Sequence, residues 1–131
     1  MNGLKIEATK YIPGVSFDRE TNVFDIKGDS YPENTAELYS PVFSWVKKYL
    51  DNLTDNQKVT INIELGYFNS SSSQILMDFF DMLEKAARSG RNITVNWIYD
   101  EENEISLEHG EEFHDDLKAV TFNLMPKKEA E

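Results

Sequence analysis

From Val59 to Leu65 apolar side chains fall on every second position: Val59, Ile61, Ile63, Leu65. From Ile75 onward the period changes. Ile75, Phe79, Met82, Leu83 and Ala86 form one row, and Leu76, Phe80, Leu83 and Ala87 form a second. A period of two is that of a half-buried strand, and a spacing of three to four that of an amphipathic helix. The two patterns meet at Gly66-Tyr67-Phe68-Asn69-Ser70-Ser71-Ser72-Ser73. Four hydroxyls therefore occupy a strand-to-helix turn, where the first backbone N–H groups of the helix lack intrahelical acceptors and its dipole is positive.

The same two periods organise the rest of the chain. Leu4, Ile6 and Ala8 alternate, Pro13-Gly14 interrupts, and Val15, Phe17, Val23, Phe24 and Ile26 continue in extended phase around the polar stretch from Asp18 to Asn22. This predicts an N-terminal hairpin. Gly28-Asp29-Ser30-Tyr31-Pro32-Glu33-Asn34 has loop composition. Asn34 or Thr35 can cap a helical turn, and Ser40-Pro41 reads as a second helix start. Val42, Trp45, Val46, Tyr49, Leu50 and Leu53 make a helical stripe. In the helix after Ser70, the i,i+4 pairs Asp81–Lys85 and Glu84–Arg88 predict surface ion pairs, and Gly90 a C-terminal stop. Ile93, Val95, Trp97 and Tyr99 alternate again. Leu107, Gly110, Phe113 and Leu117 predict a third helix, in which glycine costs on the order of 1 kcal/mol against alanine. Val120, Phe122 and Leu124 predict a last strand. Asn62 and Glu64 on the central strand imply that one face of the sheet is partly open. The expected order is β-β-α-β-α-β-α-β, an α/β fold with a mixed sheet. One domain spans 1–125, and 126–131 reads as a flexible tail.

Composition narrows the function. The 131 residues carry a formal net charge of −11 and no cysteine. The charge disfavours nucleic acid as a partner, and the missing thiols leave no disulfide framework. No apolar run approaches the roughly 20 residues of a membrane span, and the first residues lack the apolar core of a signal peptide. A cytoplasmic protein without membrane insertion is expected.

Catalytic patterns are absent. Gly66 stands alone, without a phosphate-cradling glycine motif, and no serine lies in a Gly-x-Ser-x-Gly setting. His109 and His114 are five residues apart, not the four of a helical zinc pair. Trp45 and Trp97 sit on apolar stripes as core or rim residues. We expect no enzyme, no catalytic or metal-ligating set and no cofactor. For the serine run, helix capping by Asn69 or Ser70 requires only one residue. The functional alternative is phosphorylation, which adds roughly 1.5 to 2 negative charges at a helix end able to hold them.

The chain resembles the SiaC family of bacterial regulatory phosphoproteins, related in fold to STAS domains and anti-sigma-factor antagonists. The resemblance rests on Gly28-Asp29-Ser30-Tyr31-Pro32-Glu33-Asn34, Trp45-Val46, Tyr67-Phe68-Asn69-Ser70-Ser71-Ser72, Leu83-Glu84, Arg88-Ser89-Gly90-Arg91, Trp97-Ile98-Tyr99-Asp100 and Gly110-Glu111-Glu112-Phe113. It implies a STAS-like fold and partner switching. It further implies that a cognate Ser/Thr kinase phosphorylates the start of the helix and that a metal-dependent Ser/Thr phosphatase reverses it. The unmodified form binds an effector, in the best-known case a diguanylate cyclase of cyclic di-GMP signalling. By position the acceptor is Ser70, with Ser71 and Ser72 as lesser alternatives. Asp29, Ser30, Tyr31, Pro32, Glu33, Asn34, Tyr67, Asn69 and Ser71 are the implied partner-binding residues. The competing reading is a small-molecule or anion-binding STAS-like domain.

Overall fold

Nine elements make up the computed structural model, which describes residues 3–18, 20–32, 34–53 and 57–128. They are β1 (Gly3–Ile6), β2 (Gly14–Asp18), β3 (Val23–Ser30), α1 (Thr35–Asp51), β4 (Lys58–Phe68), α2 (Ser70–Arg88), β5 (Asn92–Asp100), α3 (Glu104–Asp116) and β6 (Thr121–Lys127). The strands form one sheet in sequential order, β1 to β6. β1, β2 and β3 pair antiparallel, and β3 through β6 pair parallel.

Each crossover adds its strand on the same side of the last. With right-handed connections, sequential addition puts every helix on one face. The burial pattern agrees. Phe24, Ile26, Ile61, Ile63, Val95 and Trp97 are buried in a core shared with α1, α2 and α3. The other face is open and polar, as the residues of the central strand imply. There Asp25, Asn62, Asn96 and Asn123 stand in register on four adjacent strands. Their amides link hand to hand: Asn123 donates to Asn96 at 3.0 Å, Asn96 to Asn62 at 2.8 Å and Asn62 to Asp25 at 2.9 Å.

Three details refine the sequence reading. The N-terminal part holds three strands, because the Pro13-Gly14 break separates β1 from β2 before the β2–β3 hairpin. α1 is continuous through Pro41, with Asn34 as its cap. The ring costs one backbone hydrogen bond, but the burial of Tyr39 and Val42 on either side holds the helix together. β6 runs to Lys127, so Pro126 and Lys127 pair with Tyr99 and Asp100 instead of belonging to the tail. Proline is compatible with this place because β6 is an edge strand.

Glu84 also takes a role that its spacing does not show. Its carboxylate meets Arg88 at 3.1 Å, as expected. It also accepts backbone N–H groups of Lys118, Ala119 and Val120 at 2.9–3.1 Å, clamping the α3–β6 connection onto α2. Burial pushes this carboxyl up, but the N–H donors of Ala119, Val120 and Lys118 and the Arg88 guanidinium outweigh it and lower the pKa to about 2. A depressed pKa contributes stability that is fully present above the ordinary value of 4.5 and is lost as pH falls from there towards 2. Glu84→Gln should therefore flatten the loss of stability between about pH 5 and pH 2.5, as read by urea midpoints at a series of pH values. Glu84→Ala should cost about 3 kcal/mol at neutral pH, because it strands several donors at once.

Candidate functional site

The serine turn stands where β4 hands the chain to α2, at the carboxyl end of the parallel strands. Asn69 is the helix cap. Its backbone is extended, its side-chain oxygen accepts the Ser72 N–H at 2.9 Å, and its carbonyl accepts the Ser73 N–H at 3.0 Å. Ser70 and Ser71 are thus the first two residues of α2. Their N–H groups have no intrahelical acceptor, and both side chains are exposed.

Ser72 differs from its two predecessors. It is fully buried and joins Ser30 at 2.8 Å between hydroxyls, while donating to the Ser30 carbonyl at 3.0 Å. The Ser30 hydroxyl meets the Tyr39 hydroxyl at 2.6 Å. Burial pushes the Tyr39 phenol up, against the opposing effect of the Ser30 hydrogen bond. The Asn69 N–H also donates to the Ser30 carbonyl, at 3.0 Å. A relay of three buried hydroxyls thus ties the start of α2 to the end of β3 and to α1. The register between β3 and β4 shifts between Gly28 and Ser30, so Ser30 pairs with Phe68. Tyr31 donates its backbone N–H to the Tyr11 carbonyl at 2.9 Å.

The site residues expected from sequence fall into two sets. Asp29, Tyr67 and Ser71 are exposed and Tyr31, Pro32 and Asn69 are half-buried; they lie at the ends of β3 and β4, in the connections that follow, and in the first turn of α2. Asn34 is exposed and caps α1, accepting the Glu37 N–H at 3.0 Å. Ser30 and Ser72, by contrast, face inward and hold the site from below. Their burial weighs against a partner contact at Ser30 and a phosphate acceptor at Ser72. The reason is helical phase for Ser72, which lies one turn before buried Leu76. Glu33 lies outside the described residues. Two participants were missed. Tyr39 could have been found as a hydroxyl in phase with Val42 and Val46, one turn before Val42. Tyr11 lies in the β1–β2 linker and reaches the site only through the fold, with no sequence signal.

The relay has a measurable consequence. Ser30→Ala takes the Ser30 hydroxyl from Tyr39 and leaves Ser72 only the carbonyl of residue 30, and should cost about 2 kcal/mol. Ser70→Ala on the exposed face should stay within about 0.5 kcal/mol of wild type. Urea denaturation of the two variants checks the contrast.

Among the described residues no group of three acidic, histidine or cysteine side chains could hold a metal ion. None of the described helices is long and apolar enough to cross a membrane. His109 rests on the Phe68 ring, with centroids 4.8 Å apart, and His114 is exposed.

Comparison with known proteins gives one consistent result. The family model "SiaC family regulatory phosphoprotein" matches residues 6–127. An uncharacterized protein of Pseudomonas aeruginosa strain UCBPP-PA14 is 38% identical over 117 residues, which is 88% of this chain and 90% of the relative. The crystal structure of apo-SiaC from Pseudomonas aeruginosa superposes with a TM-score of 0.87 at 34% identity, covering 95% of this chain and 99% of that one. The same values hold for SiaC in the crystal structure of the diguanylate cyclase SiaD in complex with its activator SiaC, from the same organism. The chain belongs to the SiaC family of regulatory phosphoproteins.

Proposed function

We propose that this SiaC-family chain is a non-catalytic interaction module, switched by phosphorylation of Ser70. The observation that carries the reading is the division of labour within the serine run. Ser72 is buried and anchors the helix, whereas Ser70 is exposed at its first position. A kinase can reach the Ser70 hydroxyl without opening the core. A phosphate there gains from the helix dipole and from free N–H donors, so the fold tolerates it. A partner packed over the turn would have to desolvate a dianion, and that cost drives it off. Ser71 is the second acceptor by exposure.

In this reading the unmodified chain binds an effector through the ends of β3 and β4 and the start of α2. The structural neighbour seen with the diguanylate cyclase SiaD makes a cyclase the first effector to test. A Ser/Thr kinase writes the mark, and a metal-dependent phosphatase in the cytoplasm removes it. Intact mass and site mapping of the protein from its own host, with and without phosphatase treatment, tests the switch. A phosphate on Ser70 supports it. A chain unmodified under several growth conditions and carrying a bound small molecule instead would favour an anion-binding domain.

A further inference from the structure

The proposed effector surface has an unexplained neighbour. Tyr11 meets Tyr31 edge-on with ring centroids 5.3 Å apart, and Tyr31 meets Tyr67 in the same way at 5.3 Å. The outer rings, Tyr11 and Tyr67, are 54% and 56% exposed. Three aromatic rings therefore form a row that the core does not use.

The row is held in place. Thr9 Oγ1 accepts the N–H groups of Tyr11 and Ile12 at 3.1 and 3.2 Å, and Tyr11 in turn takes the Tyr31 N–H on its carbonyl. Gly28, at φ 136°, lets the linker close over the end of β3, since a Cβ there would lie 3.1 Å from Pro13 Cα. Fixed, exposed tyrosines supply large contact area at low entropic cost, which is why such rings anchor interfaces.

Charge indicates what they receive. The chain carries a formal net charge of −11. Exposed Asp29 stands two residues before Tyr31, and its carboxylate oxygen lies 2.9 Å from where a Cβ on Gly66 would be, next to Tyr67. It opens on a cleft of about 340 Å³ that Asp100 also lines, together with Glu64, whose carboxylate is paired with Lys127. One ring of the row already faces a cation, since the Lys10 ammonium lies 6.0 Å from the Tyr11 centroid.

We propose that the Tyr11–Tyr31–Tyr67 row, with Asp29 beside it, is the seat for an arginine-bearing basic segment of the protein partner. Arginine fits better than lysine because its planar guanidinium stacks on a ring face and pairs with a carboxylate through two hydrogen bonds. The inference rests on the effector-binding reading and adds to it Tyr11 and the chemistry of the partner. The two remain separable: the arginine contact depends on the rings, and the switch depends on the bound partner covering the exposed Ser70 hydroxyl.

The test places the photo-crosslinker p-benzoylphenylalanine at position 11 of the full chain in its own host and sequences the captured peptide. The expected product is an arginine-containing peptide from a protein that Ser70→Asp releases. Against that protein, Tyr11→Ala should weaken binding about tenfold, Tyr11→Phe should stay within about twofold, and Asp29→Asn should flatten the salt dependence. Capture of an acidic or neutral segment, or of a second copy of this chain, overturns the inference. So does a partner that responds to Ser70→Asp yet never cross-links from position 11 and ignores Tyr11→Ala. If the wild-type chain retains no protein sensitive to Ser70→Asp, the effector reading itself fails and this inference falls with it.

Discussion

Ser70→Asp should abolish effector binding, while Ser70→Ala should bind within a few-fold of wild type. Placing an unpaired charge in a dry contact costs about 3–5 kcal/mol, which corresponds to a loss on the order of 100-fold or more. The same substitution should leave the fold intact or slightly firmer. Position 70 opens α2, and a carboxylate there gains a few tenths of a kcal/mol or more from the helix dipole. The two effects run in opposite directions, so the pair of measurements is diagnostic. Binding by calorimetry should collapse while the melting temperature holds or rises. Equal binding by the aspartate variant would move the effector off the serine turn. A collapse of both readouts would make Ser70 a structural residue.

The second large effect is expected at Gly110. Helix propensity alone says that Gly110→Ala should stabilise α3 by on the order of 1 kcal/mol. The packing says the reverse. A Cβ at this position would lie 2.6 Å from Trp97 Cδ1, 2.8 Å from Trp97 Nε1 and 2.8 Å from Leu124 Cδ2. Trp97 cannot easily give way. It is buried, its indole N–H donates to the Ser106 carbonyl at 2.9 Å, and Phe68 and Phe113 pack edge-on against its ring. Overpacking of this kind costs about 1–3 kcal/mol, enough to reverse the propensity gain. We expect a net destabilisation of about 1 kcal/mol by urea denaturation, the overpacking cost less the propensity gain. An alanine variant more stable than wild type would mean that α3 can lift from β5 without loss.

The two predictions differ in how much the sequence reveals of them. The serine turn was legible, because a period-two run turning into a helical stripe locates it, and the resemblance to the SiaC family singles out Ser70 within it. The need for glycine at position 110 was not. The sequence shows a residue that weakens a helix, and the compensating reason, an indole edge 13 positions earlier, exists only once β5 lies under α3. Glu84 follows the same logic. Its spacing to Arg88 predicts a surface pair, and the pair is present, but three backbone donors from a connection more than 30 residues away take the same carboxylate.

Local periodicity and turn chemistry thus determined the α/β class, the positions of all three helices, the central strand and the place of the candidate switch. Each of these depends on contacts within a few residues or on a single face pattern, and both are written in order along the chain. The tertiary structure alone decided which of four adjacent serines face solvent and which lock into the core, that Tyr11 joins the site, and that the open sheet face carries a linked row of amides. Those outcomes depend on which distant backbone lies opposite a given side chain. A hydroxyl at position 72 and one at position 70 have the same chemistry. They part company because a two-residue offset, about 200° around the helix, aims the first at Ser30 and leaves the second in water.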